Sequence, residues 1–352
     1  MHLQRSTFRG QKSAHVFLMT RFRLAACILI LFLILVVRPV SAQSENAPGT
    51  LTLTDTVMFL DASPELVALE DPTGLLGLDA VRRRDGEFEP LTTHTLGQTD
   101  SAFWLRVTIQ NESARDWLLH LPSPQLDVVW IFIPGPNGDY REIRTGRTLP
   151  IFHREIIHED PVLLLPEDLR EDLPIYIRLA TQRSIMETYV WLHQAQAFAA
   201  FHRDFDFLMD VFSGVLTGLG LYNLLLFLFI RQRVYIYYVL YIFCFNFMWL
   251  SDLGLGYRFF WPWAPGWNQI AILTLAYAAM IFIVLFTREF LQTAMRTPLI
   301  DRILLAMIAI KLISWVAVLL NPSPKFLNLM TPTLVIGFLP GLPPAGIPSH
   351  AA

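Results

Sequence analysis

The sequence predicts an all-β periplasmic sandwich or jelly roll followed by an α-helical polytopic membrane bundle. Three observations carry that reading. Between residues 43 and 203, apolar residues recur with period two between turn clusters. After residue 204, four apolar runs approach or exceed the ~20 residues a membrane-spanning helix needs. The charge divides along the same line: 25 of the 30 acidic residues lie between Glu45 and Asp204, and only five are spread over the 148 residues that follow. Charged residues make up 16% of the chain, against ~25% in an average soluble domain. That value excludes an ordinary cytosolic enzyme, and the 53% hydrophobic content excludes a disordered chain.

The first element is an export signal at residues 1–42. Arg21 and Arg23 precede an unbroken apolar run from Leu24 to Val37, and Val40-Ser41-Ala42 supplies a small-x-small ending. These are the basic flank, core and cleavage site of a secretory signal peptide; an uncleaved anchor is the competing reading. The two cysteines are Cys27, inside the signal, and Cys244, inside a later helix. The exported domain therefore has no thiol, disulfide or cysteine metal site.

The second element is the β domain, residues 43–203. Phe103, Leu105, Val107 and Ile109 alternate with Trp104, Arg106, Thr108 and Gln110. Ile175, Ile177 and Leu179 alternate with Tyr176 and Arg178, and Thr188, Val190 and Leu192 with Glu187, Tyr189 and Trp191. Val128 to Ile133 is apolar on both faces, as a central strand would be, and Pro134 to Asp139 is a turn cluster. On the non-core phase, Trp104 with Arg106 and Tyr176 with Arg178 place an aromatic ring beside a guanidinium. A ring that stacks on C–H faces and a fork donating to hydroxyls or a carboxylate suit a sugar. The same rings equally suit packing beneath loops on the second face of the sandwich. The acidic excess disfavours nucleic acid.

No catalytic grouping, cofactor motif or metal site emerges. His153 and His158 are i,i+5, on opposite faces of a strand and roughly 140° apart on a helix.

The third element is the membrane region, residues 204–340, with spans at 207–230, 234–253, 269–290 and 303–320. A β domain outside the membrane makes the first span run inward. Arg231, Arg233, Arg296 and Arg302 then lie in cytoplasmic turns, as the positive-inside rule requires. Gly214 and Gly218 form a G-x-x-x-G face for close helix packing, within the bundle or across a homodimer. Lys311 sits ~13 Å from either end of the fourth span. A central lysine faces the bundle interior with a partner, for which Asp210 and Asn223 on the first span are candidates. A fifth run is broken by Pro332, and residues 341–352 form an irregular tail. The sequence reads as a bundle cut off part-way.

Two stretches resemble the bacterial seven-transmembrane receptors with diverse intracellular signalling modules. Thr99-Asp-Ser-Ala-Phe-Trp-Leu-Arg-Val-Thr-Ile-Gln-Asn111 and Leu126-Asp-Val-Val-Trp130 are similar to that family's type 2 extracellular sensor domain. Gly218-Leu-Gly-Leu-Tyr-Asn-Leu224, Arg233 to Tyr241, Gly254 to Pro262 and Phe286-Thr-Arg-Glu-Phe-Leu291 are similar to its seven-helix module. The resemblance implies an inner-membrane receptor whose periplasmic jelly roll binds a carbohydrate-like ligand. It also implies output through a cytoplasmic diguanylate cyclase or histidine kinase, a module this sequence lacks. The chain itself is then not an enzyme. The alternative is an accessory membrane subunit or transporter component that docks through its β domain.

Overall fold

Alternating strands of this length have one buried face each, and in the computed structural model two sheets bury those faces against one another. The structure describes residues 50–166, 169, 173–181 and 184–320, with only the backbone of 201–206. The export signal, the fifth apolar run and the tail lie outside the described residues.

The described residues form thirteen strands: β1 (Thr50–Leu53), β2 (Phe59–Asp61), β3 (Val67–Asp71), β4 (Glu89–Pro90), β5 (Thr95–Gly97), β6 (Ala102–Asn111), β7 (Trp117–His120), β8 (Val128–Pro134), β9 (Tyr140–Thr145), β10 (Val162–Leu164), β11 (Ile175–Ala180), β12 (Met186–Glu187) and β13 (Trp191–Gln194). The large sheet has the order β4-β3-β6-β11-β8-β9, with β1 parallel to the far end of β6. The facing sheet has the order β10-β7-β13-β2, and β12 pairs with β5 apart from both.

Leu105, Val107 and Ile109 of β6, Ile175, Ile177 and Leu179 of β11, and Ile131 of β8 form one side of the core. Leu119 of β7, Leu163 of β10 and Leu192 of β13 form the other. Each such side chain contributes ~1.5–3 kcal/mol on burial. The phase expected for β6 and β11 is the observed one. The strand expected through 187–192 is interrupted instead. Thr188 bonds His94 through its N–H, while Val190 accepts from Ala62 and from the Ser63 hydroxyl. The chain changes sheets there and cannot keep one ladder.

The β8–β9 hairpin is stapled at its foot. Gly146 adopts φ +119°, and a Cβ there would lie 2.4 Å from the Asp127 carbonyl oxygen. Only glycine permits that approach. The next residue, Arg147, is 3% exposed. Its Nε donates to Asp127 Oδ1 at 2.7 Å and its Nη1 to Gln125 Oε1 at 2.7 Å.

Helix α1 (Leu78–Arg82) covers part of the outer face of the large sheet. Helix α2 (Ala195–Ile230) follows β13 directly. Gln194 fixes that junction through bonds from its Nε2 to the carbonyls of Asp55 and Val57, at 3.2 and 2.7 Å. Then come α3 (Arg233–Asp252), α4 (Pro265–Leu291), the short α5 (Thr293–Arg296) and α6 (Pro298–Leu320). Among the described residues, four stretches are long and apolar enough to span a membrane: Phe207–Ile230, Arg233–Asp252, Pro265–Leu291 and Pro298–Leu320. Arg288 grips Asp301 with two bonds, at 2.8 and 3.0 Å, and Thr293 adds a third at 2.7 Å. These close the α4–α6 connection.

The principal helix contacts run in chain order, α2 on α3, α3 on α4 and α4 on α6. Asn246 of α3 accepts from Ser213 at 3.0 Å and donates to Thr217 at 3.2 Å across the first of these seams, as polar side chains do between membrane helices. The close approach expected at Gly214 and Gly218 falls to Gly220, whose Cβ position is 3.2 Å from Phe243. Gly214 and Gly218 meet no neighbour among the described residues, because that face of α2 points away from α3. Lys311 is buried as expected. Of its candidate partners on α2, Asp210 is exposed and Asn223 Nδ2 donates to the Leu219 carbonyl at 2.9 Å.

Breaking the staple has a defined cost. Asp127→Ala leaves a buried, unpaired guanidinium and is expected to destabilise the β domain by about 3–5 kcal/mol. The Asp127→Ala/Arg147→Met double variant is expected to recover most of that loss in thermal unfolding of the protein in detergent. A single variant as stable as wild type contradicts the staple.

Candidate ligand cleft and its membrane joint

The outward phase of the large sheet brings separated residues into rows. In one row Leu69 of β3, Trp104 of β6, Arg178 of β11, Trp130 of β8 and Arg144 of β9 stand side by side. In the next row are Val67, Arg106, Tyr176, Phe132 and Glu142. All four residues singled out in the sequence therefore share one face. An open cleft of about 560 Å³ lies on that face, lined by Trp104, Trp130, Phe132, Tyr140, Glu142 and Arg144 and by Gly77 to Ala80 with Arg83.

The four residues differ in what they present. Trp104 is fully buried and stacks on Phe132 with ring centroids 5.5 Å apart. Tyr176 is also buried, packed between Phe88 and Tyr140. These two rings form a floor beneath the loop and α1. Arg106 turns away to pair with Asp85 and lies over the Phe88 ring. Arg178 is buried with its guanidinium 4.5 Å from the centre of Trp130, while Arg144 approaches the same ring at 4.7 Å. Trp130, half-buried between two cations, is thus the aromatic surface offered to the cleft, with Tyr140 beside it. The alternation of Trp130 with Phe132 and of Tyr140 with Glu142 and Arg144 was the available signal. The apolar run through β8 concealed it.

Electrostatics fix the wall above Arg178. Burial pulls its guanidinium below the ordinary arginine value, and Asp71 opposes that shift. An arginine retains its charge even so. Its Nη2 donates to the Gly74 carbonyl at 2.8 Å. Gly74 sits in the turn that Asp71 organises: Oδ1 accepts from Thr73 N, Thr73 Oγ1 and Gly74 N, and Oδ2 from Leu76 N, all within 3.1 Å. Burial disfavours the Asp71 carboxylate, yet these bonds outweigh it and hold its pKa below the usual range.

A second polar site joins the β domain to the turn between α3 and α4. Gln125, held by Arg147, donates to the Ser251 and Asp252 carbonyls at the end of α3, at 3.1 and 2.7 Å. Tyr257 donates to the Leu149 carbonyl at 2.5 Å, and Arg258 pairs with Glu159 at 2.7 Å. Gly254, at φ +76°, packs so closely that a Cβ would lie 2.8 Å from Glu159 and Pro124. Arg154 is buried and donates to the His158 and Glu159 carbonyls at 2.5 and 2.7 Å. Its guanidinium is pulled down by burial, opposed by Asp160. The Tyr257 hydroxyl is raised by its own burial, against the pull of Arg154.

The family description 7TM diverse intracellular signalling matches residues 206–342. The description 7TMR-DISM extracellular 2 matches residues 63–191, so both modules occur in the family's order. The chain belongs to the seven-transmembrane receptors with diverse intracellular signalling. The receptor is therefore a multi-pass membrane protein with an extracellular sensor domain at its N-terminal side and a signalling role. The cleft lies within the matched sensor domain, and the joint spans the two matched modules. No curated protein matches the chain.

The Asp71 turn has a pH signature. A folded-state pKa below the unfolded ~3.9 gives stability that is complete above that value and lost as pH falls through the folded pKa. Asp71→Asn is expected to cost about 1–3 kcal/mol at neutral pH. The gap between variant and wild type is expected to narrow below pH ~4. A gap of constant size down to pH ~2 would contradict the role given to the carboxylate.

Proposed function

We propose that this receptor senses a carbohydrate-like ligand outside the cytoplasm, bound in the cleft against Trp130, Tyr140 and Arg144. The observation that carries this reading is the Trp130 ring on the wall of an open cleft, with the Arg178 and Arg144 guanidiniums over it at 4.5 and 4.7 Å. Exposed Arg144 swings off Trp130 when a ligand enters, the ring it uncovers takes the C–H face of a sugar, and Arg144 and Glu142 supply a donor fork and an acceptor for its hydroxyls. Trp104 and Arg178 act from beneath. Trp104 Nε1 and Arg178 Nε are buried donors without an acceptor among the described residues, so a small shift of the covering loop brings donors toward a ligand. Tyr176 and Arg106 hold that loop rather than the ligand.

Transmission follows from the hairpin. Trp130 and Arg144 are a cross-strand pair close to the foot where Asp127, Arg147 and Gln125 meet α3. A ligand that binds one hairpin arrangement better than another shifts the bundle by that difference in affinity, with a coupling of about 1–3 kcal/mol in typical cases. A cytoplasmic signalling partner of the cyclase or kinase class reads the bundle.

The test is calorimetric titration of the receptor in lipid nanodiscs with neutral and uronic-acid trisaccharides. At least one saccharide is expected to bind saturably, and Trp130→Ala and Arg144→Ala are each expected to weaken it ten-fold or more. Arg258→Ala is expected to leave binding intact. Absence of binding by the whole panel, or binding indifferent to Trp130, overturns the reading.

A further inference from the structure

Three histidines from three separate segments, and a carboxylate two residues from one of them, meet at the foot of the β domain. His120 ends β7, His193 lies on β13, and His158 and Asp160 belong to the segment before β10. His120 is fully buried, and its Nε2 is 2.9 Å from Asp160 Oδ2. Its Nδ1 is 3.3 Å from His193 Nε2. One donor atom each from His120, His158 and Asp160 lies within 4.8 Å of the other two.

We propose that His120, His158 and Asp160 bind a divalent transition-metal ion of the zinc class at the junction between the sensor and the membrane helices. Two imidazoles and a carboxylate form the nitrogen–oxygen donor set such ions take. An ion at ~2.0–2.1 Å from each donor sets tetrahedral donor spacings of ~3.3 Å. The 2.9 Å pair opens slightly and the wider separations close, movements within reach of side-chain rotation. Second contacts aim the ligands, as metal-bound histidines require. His193 engages the remote nitrogen of His120, and the bonds of Arg154 to the His158 and Glu159 carbonyls hold the backbone between the other two ligands. Phe198, at the start of α2, closes over His120, His158 and His193 with ring centroids 5.2–5.4 Å away. Apolar rings of this kind exclude water and strengthen the metal–ligand attraction.

Position gives the ion a consequence. It bridges β7 to the segment whose Glu159 grips Arg258, so occupancy stiffens the joint to the α3–α4 turn independently of any ligand in the cleft. Three protein donors leave one coordination position open, the pattern of an exchangeable site.

The experiment titrates chelator-treated full-length receptor in detergent with zinc chloride, following heat and melting temperature, and repeats it with cobalt(II) for its visible spectrum. The expected result is one ion per chain, a raised melting temperature and the d–d bands of a tetrahedral cobalt site. His158→Gln and Asp160→Asn are each expected to weaken binding at least 100-fold, and His153→Gln to leave it unchanged. If both variants fail to fold, the cobalt spectrum of wild type decides, since tetrahedral nitrogen–oxygen bands support the site and a hexa-aquo spectrum rejects it. No saturable zinc binding, or equal binding by the folded variants, also overturns the proposal.

Discussion

A guanidinium taken out of water needs a carboxylate in the right place, and the sensor is organised around that requirement at Arg147. Asp127 neutralises it, and Gln125 takes its second arm. The geometry that results turns the other end of Gln125 toward the Ser251 and Asp252 carbonyls at the end of α3. Those carbonyls are among the orphan acceptors every helix terminus leaves. A β domain that satisfies them is attached to the bundle through its backbone, not merely tethered to it by a linker. The direct passage of β13 into α2 makes a second rigid attachment. Two attachments at different helices allow a change within the sandwich to act on the bundle as a relative displacement.

The cleft lies along the outward face of the hairpin whose foot makes the joint, which gives the proposed function its economy. On the cleft side, Asp71 shapes the covering turn, that turn accepts from Arg178, and Arg178 lies beside Trp130. On the membrane side, the same two strands end at Asp127 and Thr145, where Gly146 brings their backbones together. A few buried charges therefore link a solvent-facing ring to a helix terminus.

Much of the fold was legible in the sequence, because period two and apolar length are direct consequences of burial in a sandwich and in lipid. The alternation of Leu105, Val107 and Ile109 with Trp104 and Arg106 announced which face of β6 is core. The cleft was half legible. Trp104, Arg106, Tyr176 and Arg178 were placed on one face by phase alone, but phase does not tell whether a loop covers that face. The loop from Thr73 to Phe88 does, and it turns two expected ligand rings into a floor. Trp130 and Arg144 were hidden because β8 is apolar on both sides, one facing the core and one the aromatic floor. Among the described residues, Gly214 and Gly218 meet no neighbour, whereas Gly220 packs against Phe243. The grouping of His120, His158, Asp160 and His193 depends on which strands pair, so no local spacing reveals it.

The most direct measurement of the central claim is hydrogen exchange at the end of α3 and the following turn, residues 249–258, in wild type and Arg147→Met receptor in nanodiscs. Loss of the guanidinium frees Gln125, and the account predicts faster exchange in that segment with residues 234–246 unchanged. Equal protection of 249–258 in both proteins would contradict it.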